Sequence, residues 1–160
     1  MDQFIRTLLL AKQIAMSSLT IRPATVTELP WVNEQYQAIN FLPSDLSTDY
    51  IAIAEWEGTS CGIGRLVRME GGHEELGGMY VLGGFRQKGI ARSIVSHLLA
   101  QRNQQARLWC IPFRHLSGFY ESFGFEPVGA DHPGIPPAVA KKMNWCDTHQ
   151  EQQTSLLLMP

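Results

Sequence analysis

The stretch VLGGFRQKGIARSIV, residues 81–95, constrains this chain more than any other. A short apolar run ends in two glycines, a basic turn with a third glycine follows, and apolar residues then recur at helical spacing. Ile90, Ala91, Ile94, Val95, Leu98 and Leu99 fall on one side of a helix read from about Gly89 to Gln105. A strand that turns through glycine into a one-sided helix belongs to a sheet with helices packed on its faces. A helix N-terminus leaves about four backbone N–H groups unpaired and carries a partial positive charge. Phosphates collect at such ends. Gly89 lets a ligand approach the backbone closely, and Ala91 is nearly as small. Arg86 and Lys88 add full charges, with Arg92 at the rim. Two familiar phosphate loops are excluded. GxxxxGKS/T is absent because Lys88 precedes Gly89 with no hydroxyl after it, and GxGxxG is absent as well. The plainer alternative is a turn at Gly83 and Gly84 with solvated cations.

The rest of the chain supplies the sheet. Residues 19–25 alternate as a strand, and 25–40 read as a helix capped by Thr25 or Thr27. Residues 50–56 and 61–69 form a hairpin around the turn at 57–60, and 74–82 return as a further strand. After the helix, 106–111 read as a short buried strand and 115–124 as a short helix stopped by Gly124. Strands are expected at 125–130 and 138–145, and no fold signal is assigned to 146–160. The expected order is β-α-β-β-β-α-β-α-β-β, a mixed α/β sheet flanked by helices. It forms one domain over 19–145, between an N-terminal extension (1–18) and a C-terminal tail (146–160).

Composition narrows the function. A chain of 160 residues buries about 70% of its unfolded surface and needs no staples. A net charge of −2 gives no global field for nucleic acid or an anionic membrane. Cys61, Cys110 and Cys146 are widely spaced and odd in number, which points to reduced thiols in a cytoplasmic protein rather than disulfides or zinc. The five histidines show no ligand spacing, and no metal is expected. In the N-terminal extension the apolar run Leu8–Ala11 is too short to span a membrane. Phe4, Ile5, Leu8 and Leu9 share one helical face there. That face and the tail SLLLMP (155–160) offer a homodimer surface. Met16, just before the domain pattern, reads as an alternative start, which the intact mass of protein made from the native gene decides.

Two segments carry a family resemblance. RQKGIA (86–91) matches the Arg/Gln-x-x-Gly-x-Gly/Ala signature of the GNAT family of N-acetyltransferases, between a strand and an amphipathic helix. FYESFGFEPV (119–128) is similar to that family's later segment, where a Tyr lies four residues before a Gly-Phe pair. The element order over 19–145 fits as well. The resemblance implies the GNAT acyl-CoA N-acyltransferase fold and acetyl-CoA as cosubstrate. It places the diphosphate on the N–H groups of Gln87, Lys88, Gly89, Ile90 and Ala91, with Arg86 and Arg92 nearby. The pantetheine arm would pair with Met79, Tyr80 and Val81, beside a bulge for which Gly77 and Gly78 are suited.

The chemistry implied is acetyl transfer to an amine. Deprotonating a lysine-like amine at pH 7 costs about 4.6 kcal/mol, an α-amine only about 1 kcal/mol, so a base matters far more in the first case. Glu75, six residues before Val81, is the candidate base, with Glu74 its nearest rival. A backbone N–H near Val81 would meet the oxyanion, and Tyr120 would protonate the leaving thiolate. One position departs from the pattern. Where the family often has an Asn contacting pantetheine, this chain has Phe113, and Arg114 or Ser117 are the candidate replacements. Cys110 lacks the His and Asp partners of a nucleophile, so transfer is expected to be direct.

The acceptor pocket is expected around 31–47 and 130–138, with Trp31, Tyr36, Phe41 and Asp45 as lining. The segment GADHPGIPPAVAKKMNW resembles the ending of acetyltransferases related to N-acetylglutamate synthase, where a Pro-Pro-Ala-like turn precedes the final strand. That favours a small primary amine such as an amino acid. A protein N-terminus or lysine as acceptor, and a non-catalytic CoA-sensing module, are the rival readings.

Overall fold

The computed structural model describes residues 2–160, with no side chains described from 12 to 17, so the reading of Met16 lies outside the described residues. The elements are α1 (Gln3–Ser18), β1 (Leu19–Pro23), α2 (Leu29–Ala38), β2 (Asp49–Trp56), β3 (Thr59–Met69), β4 (His73–Val81), α3 (Ile90–Gln101), β5 (Arg107–Cys110), α4 (Ser117–Glu121), β6 (Glu126–Pro127), α5 (Pro137–His149) and β7 (Leu157–Met159). They build a seven-stranded sheet in the order β1-β2-β3-β4-β5-β7-β6. The β4–β5 pair is parallel, and every other pair is antiparallel.

Alternation along the strands sorts the core onto two faces. On one face Leu66, Leu76, Leu108 and Leu157 meet Ile90, Ile94, Val95 and Leu98 of α3 and Tyr120 of α4. The stripe read from sequence is therefore the buried side of α3. Gly62 and Gly64 lie beneath it, and a Cβ at Gly64 would stand 2.6 Å from Ile94 Cγ2, so their bareness lets the helix sit close. On the other face Ile51, Ile53 and Ile63 meet Val32 and Tyr36 of α2, while Trp109 and Leu158 meet Val139 of α5. Ahead of α2, Thr25 donates through both its N–H and its hydroxyl to Glu28 (3.0 and 2.9 Å), fixing the helix start.

Three expectations are corrected. Residues 138–145 are not a strand but lie in α5. Pro136 and Pro137 open that helix, Pro137 at its first position where a missing N–H costs nothing. Val139, Met143 and Cys146 then recur at helical spacing against the sheet. The Pro-Pro-Ala segment thus starts a helix rather than preceding the last strand. That strand is β7 in the tail, inserted between β5 and β6. The tail is consequently no surface for a second copy: Leu156, Leu157 and Leu158 are buried within the fold. The N-terminal segment is the expected helix, and its Phe4, Ile5, Leu8 and Leu9 are exposed. Among the described residues no helix is long and apolar enough to cross a membrane.

Candidate active site

β4 pairs with β5 only from His73 to Leu76. Beyond Leu76 it continues to Val81 bonded to β3 alone, so its outer edge opens into a wedge between the two parallel strands. The cause is a bulge. The β3–β4 register slips between Ile63 and Arg65, and Gly78 takes φ 60°, a conformation that favours glycine. Tyr36 of α2, fully buried, donates its hydroxyl to the Gly78 carbonyl at 2.7 Å and pins the bulge from below.

The wedge leads to the basic turn. Gln87 (φ 64°) and Gly89 (φ 75°) both adopt the left-handed region ahead of α3, a backbone conformation found in anion-binding turns. Ser93 is the first residue of the helix whose N–H finds a backbone acceptor, the Gly89 carbonyl at 3.2 Å. The amides of 87–92 donate to none of the described acceptors. Arg86 and Lys88 are exposed beside these amides. Arg86 Nε donates to the Val81 carbonyl at 3.2 Å, and the Lys88 ammonium lies 5.1 Å from the Trp56 ring centroid. Arg92 is held over Phe119 and Phe123 and donates to Ser122 Oγ at 3.1 Å. These contacts hold it at the junction of α3 and α4.

Behind the wedge lies an inner cavity of about 110 Å³, lined by Gly77, Gly78, Met79, Glu75, Tyr120 and Phe113 among others. Leu42, Arg65, Glu75, Lys142 and Trp145 line both it and a wider outer cavity of about 410 Å³. Glu75 is buried, with its Oε1 accepting from the Lys142 ammonium of α5. Glu74 faces the other side of the sheet, where it accepts from the Asn103 N–H at 2.7 Å, and it lines neither cavity. Tyr120 is buried against Phe119 and Phe125. Desolvation pushes its pKa well above the ordinary tyrosine value, so it stays a proton carrier at any physiological pH. Burial also pushes the Cys110 thiol up, with the Glu75 charge adding to the effect, which keeps it from being a thiolate nucleophile.

Other expected positions are placed as follows. Phe113 stacks on His115, tilts against Phe41 and lines the inner cavity. Ser117 is hydrogen-bonded to Ser155 at 2.9 Å, and the Arg114 N–H donates to Gln153. Phe41 lines the inner cavity and Asp45 the outer one. Trp31 packs beside the α2 core, and Tyr36 supports the bulge. From 130–138 only Ala138 reaches a cavity wall. The sequence reading missed Arg65 and Lys142. A helical reading of α5 would have found Lys142, one turn beyond Ala138 on the same helix; a lone Arg in a strand gave no signal for Arg65.

The model of the acetyltransferase (GNAT) domain matches residues 47–127, just over half of the chain. The chain belongs to the GNAT acetyltransferase family. No curated protein matches the sequence significantly. Solved structures share the GNAT fold at low identity. N-acetylglutamate synthase from Neisseria gonorrhoeae, complexed with coenzyme A and L-arginine, superposes with TM-score 0.67 at 16% identity, over 88% of this chain and 32% of that one. This chain therefore spans about a third of that synthase. Rv2747 from Mycobacterium tuberculosis, in complex with CoA, gives TM-score 0.68 at 17% identity, covering 88% of this chain and 98% of that one. Naa50 from Arabidopsis thaliana, in complex with the bisubstrate analogue CoA-Ac-MVNAL, gives 0.60 at 14%, covering 89% and 99%. In this GNAT chain the splayed β4 edge runs along the chain into the turn whose amides precede α3.

Proposed function

We propose that this protein is a cytoplasmic, acetyl-CoA-dependent N-acetyltransferase that transfers the acetyl group directly to a small primary amine. The observation that carries the reading is the unpaired β4 edge followed by unbonded amides before α3. Free backbone edge on β4 from Gly77 to Val81 runs into free amides at 87–92, which suits an amide-bearing arm ending in a diphosphate. CoA-bound structures of the same fold support acetyl-CoA as the donor.

In this reading Gln87, Lys88, Gly89, Ile90 and Ala91 receive the diphosphate on their amides. Arg86 and Lys88 neutralise it, and Arg92 flanks it. Met79, Tyr80 and Val81 pair with pantetheine. The thioester then lies at the bulge, between Glu75 and Tyr120 on the cavity wall. The amine nitrogen attacks the thioester carbonyl, and the proton it sheds passes toward Glu75, directly or through water. The oxygen charge that builds up is met by a β4 backbone N–H. The C–S bond breaks and Tyr120 protonates the departing sulfur, leaving an acetamide and free CoA thiol. Because Lys142 occupies Glu75, the carboxylate is open to the amine once that ammonium swings away or is exchanged for the incoming one.

Thiol release from acetyl-CoA over a panel of amino acids, polyamines and peptides tests the reading. Acetylation of small amines with peptides inert supports it. Activity on peptides alone replaces the small acceptor with a protein one, and acetyl-CoA binding with no acceptor in either panel replaces the enzyme with a CoA sensor.

A further inference from the structure

Arg65 is a buried cation whose ion pair with Asp49 is long and not hydrogen-bonded. It projects from β3 beside the Gly78 bulge, and its side chain is 4% exposed. Its Nε and Nη1 are buried and bonded to nothing among the described residues. The nearest carboxylate, Asp49, approaches no closer than 4.0 Å. That carboxylate is already satisfied by the Ser44 hydroxyl, the Asp45 N–H at 3.2 Å and the Thr48 hydroxyl at 2.9 Å. The Tyr36 ring lies under the guanidinium, 4.6 Å away. A charge buried this way is unfavourable unless a close, hydrogen-bonded partner completes its pairing. Glu75 cannot serve, because Lys142 holds it. Arg65 lines both the inner and the outer cavity, on the path between solvent and the thioester position.

We propose that Arg65 is the anion clamp of the acceptor site and that the acceptor amine carries a carboxylate. This rests on the acetyltransferase reading of the same cleft. A guanidinium offers a planar fork of donors matched to a carboxylate. Its Nε and Nη1 make no hydrogen bond to the described residues, so the guanidinium has donors to spare for an acceptor. The walls carry Arg65, Lys141 and Lys142 against Asp45, Asp49 and Glu75, a balance that suits a zwitterion. With its carboxylate on Arg65, a small amino acid would turn its ammonium toward Glu75, where it displaces the Lys142 contact and delivers a proton to the proposed base. The clamp thereby selects the substrate and aims its nitrogen.

The test uses matched acceptors, each amino acid against its own carboxamide, with thiol release as the readout. Wild type is expected to prefer the carboxylate member at least about tenfold in kcat/KM, the scale of a charge-assisted bond. Arg65→Gln is expected to abolish that preference with acetyl-CoA affinity unchanged, and Arg65→Lys to retain part of it. Because Asp49 keeps its Ser44, Asp45 and Thr48 donors, removing the weakly paired charge should also raise the Tm of the free protein in Arg65→Met, a readout independent of turnover and of the Gln variant folding well. Amines acetylated with no carboxylate preference, or a preference that survives in Arg65→Gln, overturn the clamp and leave the acetyltransferase reading standing. Acetylation of acidic-first peptides but of no free amino acid also overturns it. Failure of acetyl-CoA to bind at all removes both.

Discussion

Gly78→Ala is the substitution whose consequence is best fixed by the geometry. Gly78 sits at φ 60°, where a side chain brings backbone strain of about 1 kcal/mol or more. Its new Cβ would stand 2.4 Å from Tyr36 Oη, 2.9 Å from Arg65 Nε and 3.0 Å from Arg65 Cγ. Tyr36 has no room to withdraw: it is fully buried, and its ring is 6.1 Å from that of Phe41 and under the Arg65 guanidinium. Relief of the clash would break the 2.7 Å bond to the Gly78 carbonyl and leave buried polar groups unpaired, a further cost of about 1–3 kcal/mol. The expected loss is about 3 kcal/mol, or a fall in Tm of roughly 6–12 °C for a domain of this size. Urea unfolding measures the first and a thermal melt the second. Tyr36→Phe removes both the bond and the clashing oxygen, and should cost about 1–2 kcal/mol alone. Since the two variants lose the same contact, the double variant should cost at least about 1 kcal/mol less than the sum. A Gly78→Ala cost below about 1 kcal/mol, or strict additivity, would refute the claim that Tyr36 pins the bulge.

Tyr120→Phe keeps the ring packing against Phe119 and Phe125 and removes only the hydroxyl. It is expected to lower kcat at least about tenfold with little change in acetyl-CoA Kd; equal turnover would reduce Tyr120 to packing. Alkaline stability has a definite sign. The buried thiol of Cys110 has its pKa raised above the ordinary value, so the unfolded chain loses that proton first. Its stabilising contribution is complete below about pH 9 and fades as pH climbs toward the raised value. Tyr36 and Tyr120, raised likewise, act in the same direction from about pH 10 upward. Cys110→Ala should therefore flatten the fall of unfolding free energy above pH 9 by up to about 1.4 kcal/mol per pH unit. An unchanged slope would mean the thiol is not titrating differently in the two states.

What was legible in the sequence was whatever the local pattern dictates. The stripe Ile90–Leu99, the glycine at its start and the alternating strands each specify their own element, and all three lie where expected. Glu75 and Glu74 were left as alternatives by the sequence, and the structure puts them on opposite sides of the sheet, Glu75 toward the cavity, because adjacent strand residues point to opposite faces. The C-terminal quarter was misread for a physical reason. The run Ala138-Val139-Ala140 alternates over three residues and looks strand-like, while the helical set Val139, Met143 and Cys146 needs a longer window. The three-residue strand β7 has only its apolar run Leu156–Leu158 as a signal, and its place between β5 and β6 is set by tertiary packing. Arg65 was invisible because its meaning lies in what surrounds it: a cavity, an occupied Asp49 and a tyrosine face brought from α2.

The central claim is that the amides of 87–92 and the cations beside them hold the diphosphate of acetyl-CoA. Calorimetric titration with acetyl-CoA, with ATP and NAD as controls, tests it most directly, on wild type and Arg86→Ala. The account predicts micromolar binding specific to the CoA compound, weakened in Arg86→Ala by about 1.5–3 kcal/mol, the range of a charge-assisted contact. No binding of acetyl-CoA, or equal binding of all three ligands, would contradict it.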